Sequence, residues 1–311
     1  MPKILISDNL SNLANEVFIK NNIEVDTITD LKHEELKKII KNYDGLVVRS
    51  ATKATDEIIS AGMNLKVIGR AGAGVDNIDL VSAKKNNVIV MNTPGGNTNA
   101  TAEHTLSLLM SLYRNIPEAN IGTHKGLWEK KKFKGLELKG KKIGIIGFGN
   151  VGMRLSELAI ALGMSVSVFS KSFSSRNMDY PSINSVSLGS IISESDIISF
   201  HCKPPSDGMP IITLKEIKLM KKNCVLLNTA RGGLINENDL KIALDSNLIR
   251  GAALDVFSNE PAKESVLFGT ANLILTPHIA ASTDEAQLVV AEQIAVQISN
   301  YFNDGEIINS V

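Results

Sequence analysis

The segment IGIIGFGNVG constrains this chain more than any other. Three of its glycines, at 147, 149 and 152, fall at the end of an apolar run (142–147) and at the start of an amphipathic one (151–162). A strand that feeds a helix through G-x-G-x-x-G is the phosphate-binding turn of a doubly wound α/β fold. Gly147 permits the tight turn, Gly149 lets a pyrophosphate approach the main chain, and Gly152 lets the helix pack against the strand. The helix start adds free N–H groups and the positive end of the helix dipole. The same glycines without that context would read as a ligand-free turn; strand and helix together favour a dinucleotide site.

The rest of the chain repeats the alternation. KILIS (3–7), IEVDTI (23–28), GLVVRS (45–50), KVIGR (66–70) and VIVMN (88–92) read as strands. Helical patterns separate them, as at 31–41, where Leu31, Leu36, Ile39 and Ile40 share a face. β-branched runs separated by helices imply a parallel sheet covered on both sides. NTPGGN (92–97) breaks the pattern, and a long helix is expected at 97–115. SVSVF (165–169), DIISF (196–200), CVLLN (224–228), GAALDV (251–256) and LILTP (273–277) supply further strands. A final helix (283–302) is expected to return to the first domain. The predicted architecture is two doubly wound parallel-sheet α/β domains, a flavodoxin-like substrate domain (1–96 plus 284–311) and a Rossmann cofactor domain (97–283). A length of 311 residues suits two domains.

Composition excludes several classes. Lys plus Arg and Asp plus Glu balance at 33 each, so no basic surface argues for nucleic acid or an anionic membrane. No run approaches the roughly 20 apolar residues of a membrane span, and MPKILISD reads as a strand start, not a leader. Cys202 and Cys224 lack metal-ligand or redox spacing; both are expected to be reduced, and Cys224 buried, in a cytoplasmic protein with no bound metal.

Three polar residues follow three of the strand-like runs: Arg231 in TARGG, Glu260 in FSNEP and His278 in PHIAAST. Ligands of open α/β sheets bind outside the carboxyl ends of the strands. An imidazole moves protons near neutrality, a carboxylate on its far nitrogen fixes the tautomer and stabilises the imidazolium, and a guanidinium grips a carboxylate bidentately. Singly, each would more often be structural; together, beside a dinucleotide fingerprint, they are candidates for catalysis. Asp255 is expected to meet the nicotinamide end of the cofactor. Of the other histidines, His33 and His124 should face solvent, His104 should be packed, and His201 should have a positional role.

The carboxylate that usually ends the second strand of such a unit bonds a ribose 2′-hydroxyl. Here that strand ends in Ser170, followed by Lys171 and, further on, Arg176. Loss of the carboxylate removes a preference for NAD, and the cations suit the extra phosphate of NADP.

Taken together, LVVRSATK (46–53), LKVIGRAGAGVDNIDL (65–80), VMNTPGGNT (90–98), the 127–152 segment, NTARGGLI (228–235), GAALDVFSNEP (251–261) and PHIAASTDEAQ (277–287) resemble the D-isomer-specific 2-hydroxyacid dehydrogenases over nearly the whole chain. The resemblance implies Arg231 as the substrate-orienting arginine, Glu260 as the partner acid and His278 as proton donor and acceptor. It implies cofactor contacts at Asn150, Val151, Thr229, Ala230, Asp255 and from His278 to Ala281. It departs at Ser170, at Cys202, where a threonine is usual, and at Lys203, where a proline is usual. Arg49, Lys53, Arg70 and the backbone of Gly72, Gly74 and Val75, with Asn97, resemble the first domain's share of a substrate site. By the same resemblance the segment around Trp128 joins a homodimer, bringing Lys130 or Lys131 to a partner's substrate.

The implied activity is hydride transfer between NAD(P) and a small 2-hydroxy acid, with 3-phosphoglycerate favoured and a role in serine biosynthesis. The rival within the family is NADPH-dependent reduction of glyoxylate or hydroxypyruvate. A rival of another class is a cofactor-sensing, corepressor-like binding protein. As the sequence stops at Val311, a C-terminal serine-binding regulatory module is not expected.

Overall fold

The computed structural model describes residues 1–171, 173 and 182–311. The chain divides into two compact units, Met1–Asn97 with Ser282–Val311, and Thr98–Ala281. In the first, strands β1 (Lys3–Ile6), β2 (Glu24–Thr27), β3 (Gly45–Val48), β4 (Val67–Arg70) and β5 (Ile89–Asn92) pair in parallel in the order β2-β1-β3-β4-β5. That is the flavodoxin-like order, reversing between β1 and β3. Helices α1 (Leu13–Lys20), α2 (His33–Ile39), α3 (Asp56–Ala61) and α4 (Leu80–Lys85) connect the strands. Every residue of β3 is buried, as a strand covered on both faces requires.

The second unit begins with α5 (Thr98–Arg114) and α6 (Ile116–His124). A parallel seven-stranded sheet follows, built from β6 (Lys142–Ile146), β7 (Ser165–Phe169), β8 (Asn184–Ser185), β9 (Ile197–Phe200), β10 (Val225–Asn228), β11 (Gly251–Leu254) and β12 (Leu273–Leu275). Its order is β12-β11-β10-β9-β6-β7-β8. The direction reverses between β6 and β9, which is the switch point where a Rossmann sheet takes its ligand. Helices α7 (Asn150–Ala161), α8 (Leu188–Glu194), α9 (Leu214–Ile217) and α10 (Glu237–Asp245) cover it. One apolar cluster joins Leu109, Tyr113, Leu155, Ile145 and Leu227; a second, on the opposite face, joins Ile191, Phe200, Leu226, Leu240 and Leu254.

The last helix, α11 (Asp284–Asp304), belongs to the first unit. Its Val290, Ile294 and Ile298 join Phe18 of α1 and Val67 of β4 in one buried cluster. The Thr283 hydroxyl caps it by accepting from the Ala286 amide at 3.1 Å. Two elements go beyond the sequence reading. Helix α6 carries no clear apolar stripe and buries little but Gly122, so periodicity gives no sign of it. Strand β8 is two exposed polar residues at the sheet edge. Among the described residues no helix is long and apolar enough to cross a membrane.

Candidate active site

Three adjacent parallel strands, β10, β11 and β12, deliver the candidate residues at one sheet edge. Beyond β10, the Asn228 side chain clamps the turn that carries Arg231. Its Nδ2 donates to the Arg231 carbonyl at 2.8 Å, and its Oδ1 accepts from the Ala230 amide at 3.1 Å. The half-buried Arg231 donates from Nη1 to the Ala230 carbonyl at 2.7 Å. Gly232 brings this turn against the loop after β11. A Cβ at 232 would stand 1.8 Å from the Phe257 carbonyl oxygen, so only glycine fits without moving backbone.

That second loop carries Glu260, whose Oε1 accepts from the Phe257 amide at 2.9 Å. Its Oε2 lies 2.6 Å from Nδ1 of His278. An ionised carboxylate only accepts, so the proton of this bond sits on Nδ1 and, in the neutral ring, Nε2 is left as an acceptor. The Glu260 bond, more than any other influence, raises the His278 pKa. Burial and the Arg231 guanidinium oppose the rise, while the charges of Glu260 and Asp255 add to it. Burial pushes the Glu260 carboxyl up, but His278 and the Phe257 amide outweigh it and hold the group below its usual range.

His278 itself sits at φ +54°, in the left-handed region. Asp255 holds it there. The Asp255 carbonyl accepts from the His278 amide at 2.8 Å. The carboxylate accepts from the Thr276 hydroxyl at 2.6 Å and from the Ile279 and Ala280 amides at 2.9 and 2.8 Å. Burial raises the Asp255 carboxyl, yet His104, Thr276 and the two amides together keep it below the ordinary carboxylate value. Asp255 is fully buried, and its carboxylate oxygens face the turn that presents His278.

The glycine turn fits a dinucleotide. Gly147 has φ +99°, and a Cβ there would lie 2.3 Å from the His201 carbonyl at the switch point. At Gly152 a Cβ would meet the Gly147 carbonyl at 2.3 Å. Among the described residues nothing lies within 4 Å of such a Cβ at Gly149. The start of α7 has no side-chain cap among the described residues, so Asn150 and Val151 open a helix whose terminal amides suit a pyrophosphate. Ser170, half-buried, directly follows β7, and Lys171 is exposed. Arg176 lies outside the described residues.

His201 bonds the Ser199 hydroxyl at 2.8 Å, and burial pushes its pKa down to about 3. A ring held neutral in this way suits a positional role and not proton transfer. Burial also raises the Cys202 thiol to about 11. Thr229 is buried; Ala230 and Ala281 are half-buried. His33 and His124 are exposed and His104 is packed.

The substrate-side residues lie elsewhere in the chain. Arg49 follows β3; its Nη1 donates to the Asn9 carbonyl at 2.9 Å. Lys53 is exposed. Arg70 ends β4, and Gly72, Gly74 and Val75 form the turn beyond it. Asn97 closes the first segment of its unit. Lys130 is exposed, as is Trp128 at 87%. Among the described residues one trio, His33, Glu34 and Glu57, is close enough to share a metal ion. All three are exposed, and Lys37 already reaches Glu57 at 2.7 Å.

A seven-stranded sheet of this order, with a glycine turn at its switch point, defines a Rossmann-type dinucleotide-binding unit. The chain belongs to the D-isomer-specific 2-hydroxyacid dehydrogenases: the model of that family's NAD binding domain matches residues 106–280. It is 41% identical over 298 residues to the D-3-phosphoglycerate dehydrogenase of Synechocystis, covering 96% of this chain and 54% of that protein. It is 40% identical over 300 residues to the hydroxypyruvate reductase of Thermotoga maritima, covering 95% of this chain and 97% of the relative. The NAD+-bound 3-phosphoglycerate dehydrogenase of Entamoeba histolytica superposes with a TM-score of 0.85 at 29% identity, over 100% of this chain and 98% of that one. The chain spans about half the length of several phosphoglycerate dehydrogenases it matches. NAD(P) binding follows from the family and the fold.

Proposed function

We propose that this chain catalyses reversible NAD(P)-dependent oxidation of a small 2-hydroxy acid to the 2-oxo acid, with 3-phosphoglycerate and 3-phosphohydroxypyruvate as the pair. The observation that carries the reading is the 2.6 Å His278–Glu260 bond at the same sheet edge as Arg231. When bound, the nicotinamide cofactor supplies or accepts the hydride. Gly147, Gly149, Asn150, Val151 and Gly152 hold its pyrophosphate, and Ser170 and Lys171 the adenine-side ribose. Cys202, Thr229, Ala230, Arg231, His278 and Ala281 line its nicotinamide half.

In the oxidation, Nε2 of His278 takes the substrate hydroxyl proton, and Glu260 stabilises the imidazolium through Nδ1. In the reverse direction the same nitrogen returns the proton. The Arg231 guanidinium grips the substrate carboxylate with two parallel N–H donors. Arg49, Lys53, Arg70, Asn97 and the backbone of Gly72, Gly74 and Val75 are proposed contacts to the substrate, with the cations serving its phosphate. The exposed Trp128 supports a homodimer formed through its segment, with Lys130 reaching a partner's substrate. Ser170 and Lys171 support use of NADP, alone or beside NAD.

The similarity to a hydroxypyruvate reductase supports a second reading, reduction of the unphosphorylated acids. Initial rates with 3-phosphohydroxypyruvate, hydroxypyruvate and glyoxylate, each under NADH and NADPH, separate the readings. The expected result is the highest kcat/KM for the phosphorylated acid, with NADPH at least comparable to NADH. Higher kcat/KM for an unphosphorylated acid selects the reductase, and more than tenfold preference for NADH contradicts the reading of Ser170. No turnover of any 2-oxo acid points instead to a cofactor-sensing binding protein.

A further inference from the structure

Helix α5 meets two of the loops described above through consecutive residues. His104 Nε2 lies 3.1 Å from the Thr276 hydroxyl, 172 residues away in sequence, and 3.5 Å from Oδ1 of Asp255. The Thr276 hydroxyl has one proton, and it goes to Asp255 at 2.6 Å. His104 is therefore the donor, and an ordered chain runs from His104 through Thr276 to Asp255. Asp255 in turn fixes the amides of His278, Ile279 and Ala280 around a left-handed His278.

The next residue on the helix serves the other loop. Thr105 is fully buried and gives its hydroxyl proton to the Thr101 carbonyl at 2.8 Å. It therefore accepts from the Thr229 hydroxyl at 2.7 Å, two residues before Arg231. The helix also packs against β10, β11 and β12, the three strands from which these loops spring.

We propose that His104 and Thr105 are positioning residues, one setting the His278 turn and the other the Arg231 turn, so that α5 aligns the two; this rests on the function proposed above. Neither touches the reacting atoms. Each acts through a hydrogen bond to the loop it holds, and small displacements of a reacting group cost rate steeply.

The test compares His104→Leu, His104→Gln, Thr105→Val and Thr105→Ser with the parent. It reads kcat and KM for 3-phosphohydroxypyruvate, and the ring nitrogen shifts of the five histidines in cofactor-free, histidine-labelled protein, with His278→Ala assigning the His278 pair. His104→Leu is expected to lower kcat about tenfold with KM within about twofold, and to move the His278 shifts. His104→Gln, which keeps a side-chain N–H at similar reach, restores kcat to within about threefold. Thr105→Val is expected to raise KM about fivefold or more, the scale of one lost hydrogen bond, while leaving kcat and the His278 shifts in place; Thr105→Ser restores KM.

Parental kcat and unmoved His278 shifts in His104→Leu overturn the proposal. So does equal loss in all four variants, the mark of general destabilisation. If His104→Leu does not fold, His104→Asn, whose amide falls short of Thr276, carries the same readouts. If the parent turns over no 2-oxo acid, the functional reading fails separately. The shifts then decide alone: movement in the His104 variant but not in Thr105→Val supports the brace, and no movement overturns it.

Discussion

His278 and Glu260 share a 2.6 Å hydrogen bond across 18 residues of sequence. The bond orders the site chemically. It fixes the imidazole proton on Nδ1, frees Nε2, and shifts the two pKa values apart, His278 upward and Glu260 downward. The pair therefore stabilises the fold between those two titrations. As pH falls through the depressed Glu260 value the carboxylate is lost, and as pH rises through the raised His278 value the imidazolium is lost.

Glu260→Gln removes the largest influence raising the His278 pKa. In the reductive direction the proton donor is the imidazolium, so the rate falls as pH rises through its pKa. The expected outcome is a lower kcat with that falling limb moved to lower pH, measured as kcat against pH for 3-phosphohydroxypyruvate. An unmoved limb would show that another group sets it.

Arg231→Gln removes a guanidinium whose bonds to a carboxylate are worth roughly 1.5–3 kcal/mol. KM for the oxo acid is expected to rise about 10–150-fold, while cofactor affinity, read by fluorescence titration, changes much less. A normal KM would place the substrate carboxylate elsewhere.

Gly232→Ala forces a methyl into the Phe257 carbonyl, 1.8 Å away. Both loops must then shift. A loss of about 1–3 kcal/mol in denaturant unfolding should accompany a fall in activity, whereas Gly233→Ala, with no described residue within 4 Å of its Cβ but φ +78°, should move the loops less. Parental activity in Gly232→Ala would show that the two loops tolerate separation.

Much of this was legible in local pattern. All the strands but β8 announce themselves as short, largely apolar runs, and the glycine turn is bounded by a visible strand and helix. Arg231, Glu260 and His278 stand out because each lies just beyond such a run. What stayed hidden depends on long-range pairing. His104 reads as one more packed residue on α5, and only the fold sets it beside Thr276. Asp255 stands out in the sequence because it ends a strand-like run, but its bonds to the Ile279 and Ala280 amides appear only in the fold. Helix α6 escapes because it buries almost nothing, so its residues need no apolar period.

Proton transfer by His278 is the step on which the proposed reaction depends, and His278→Ala tests it most directly. Steady-state kcat for 3-phosphohydroxypyruvate, with the cofactor that serves the parent best, is expected to fall about 100-fold or more, the scale of a lost acid/base group, with cofactor binding and thermal stability close to parental. A variant that keeps near-parental kcat would contradict the assignment of His278 and the mechanism built on it.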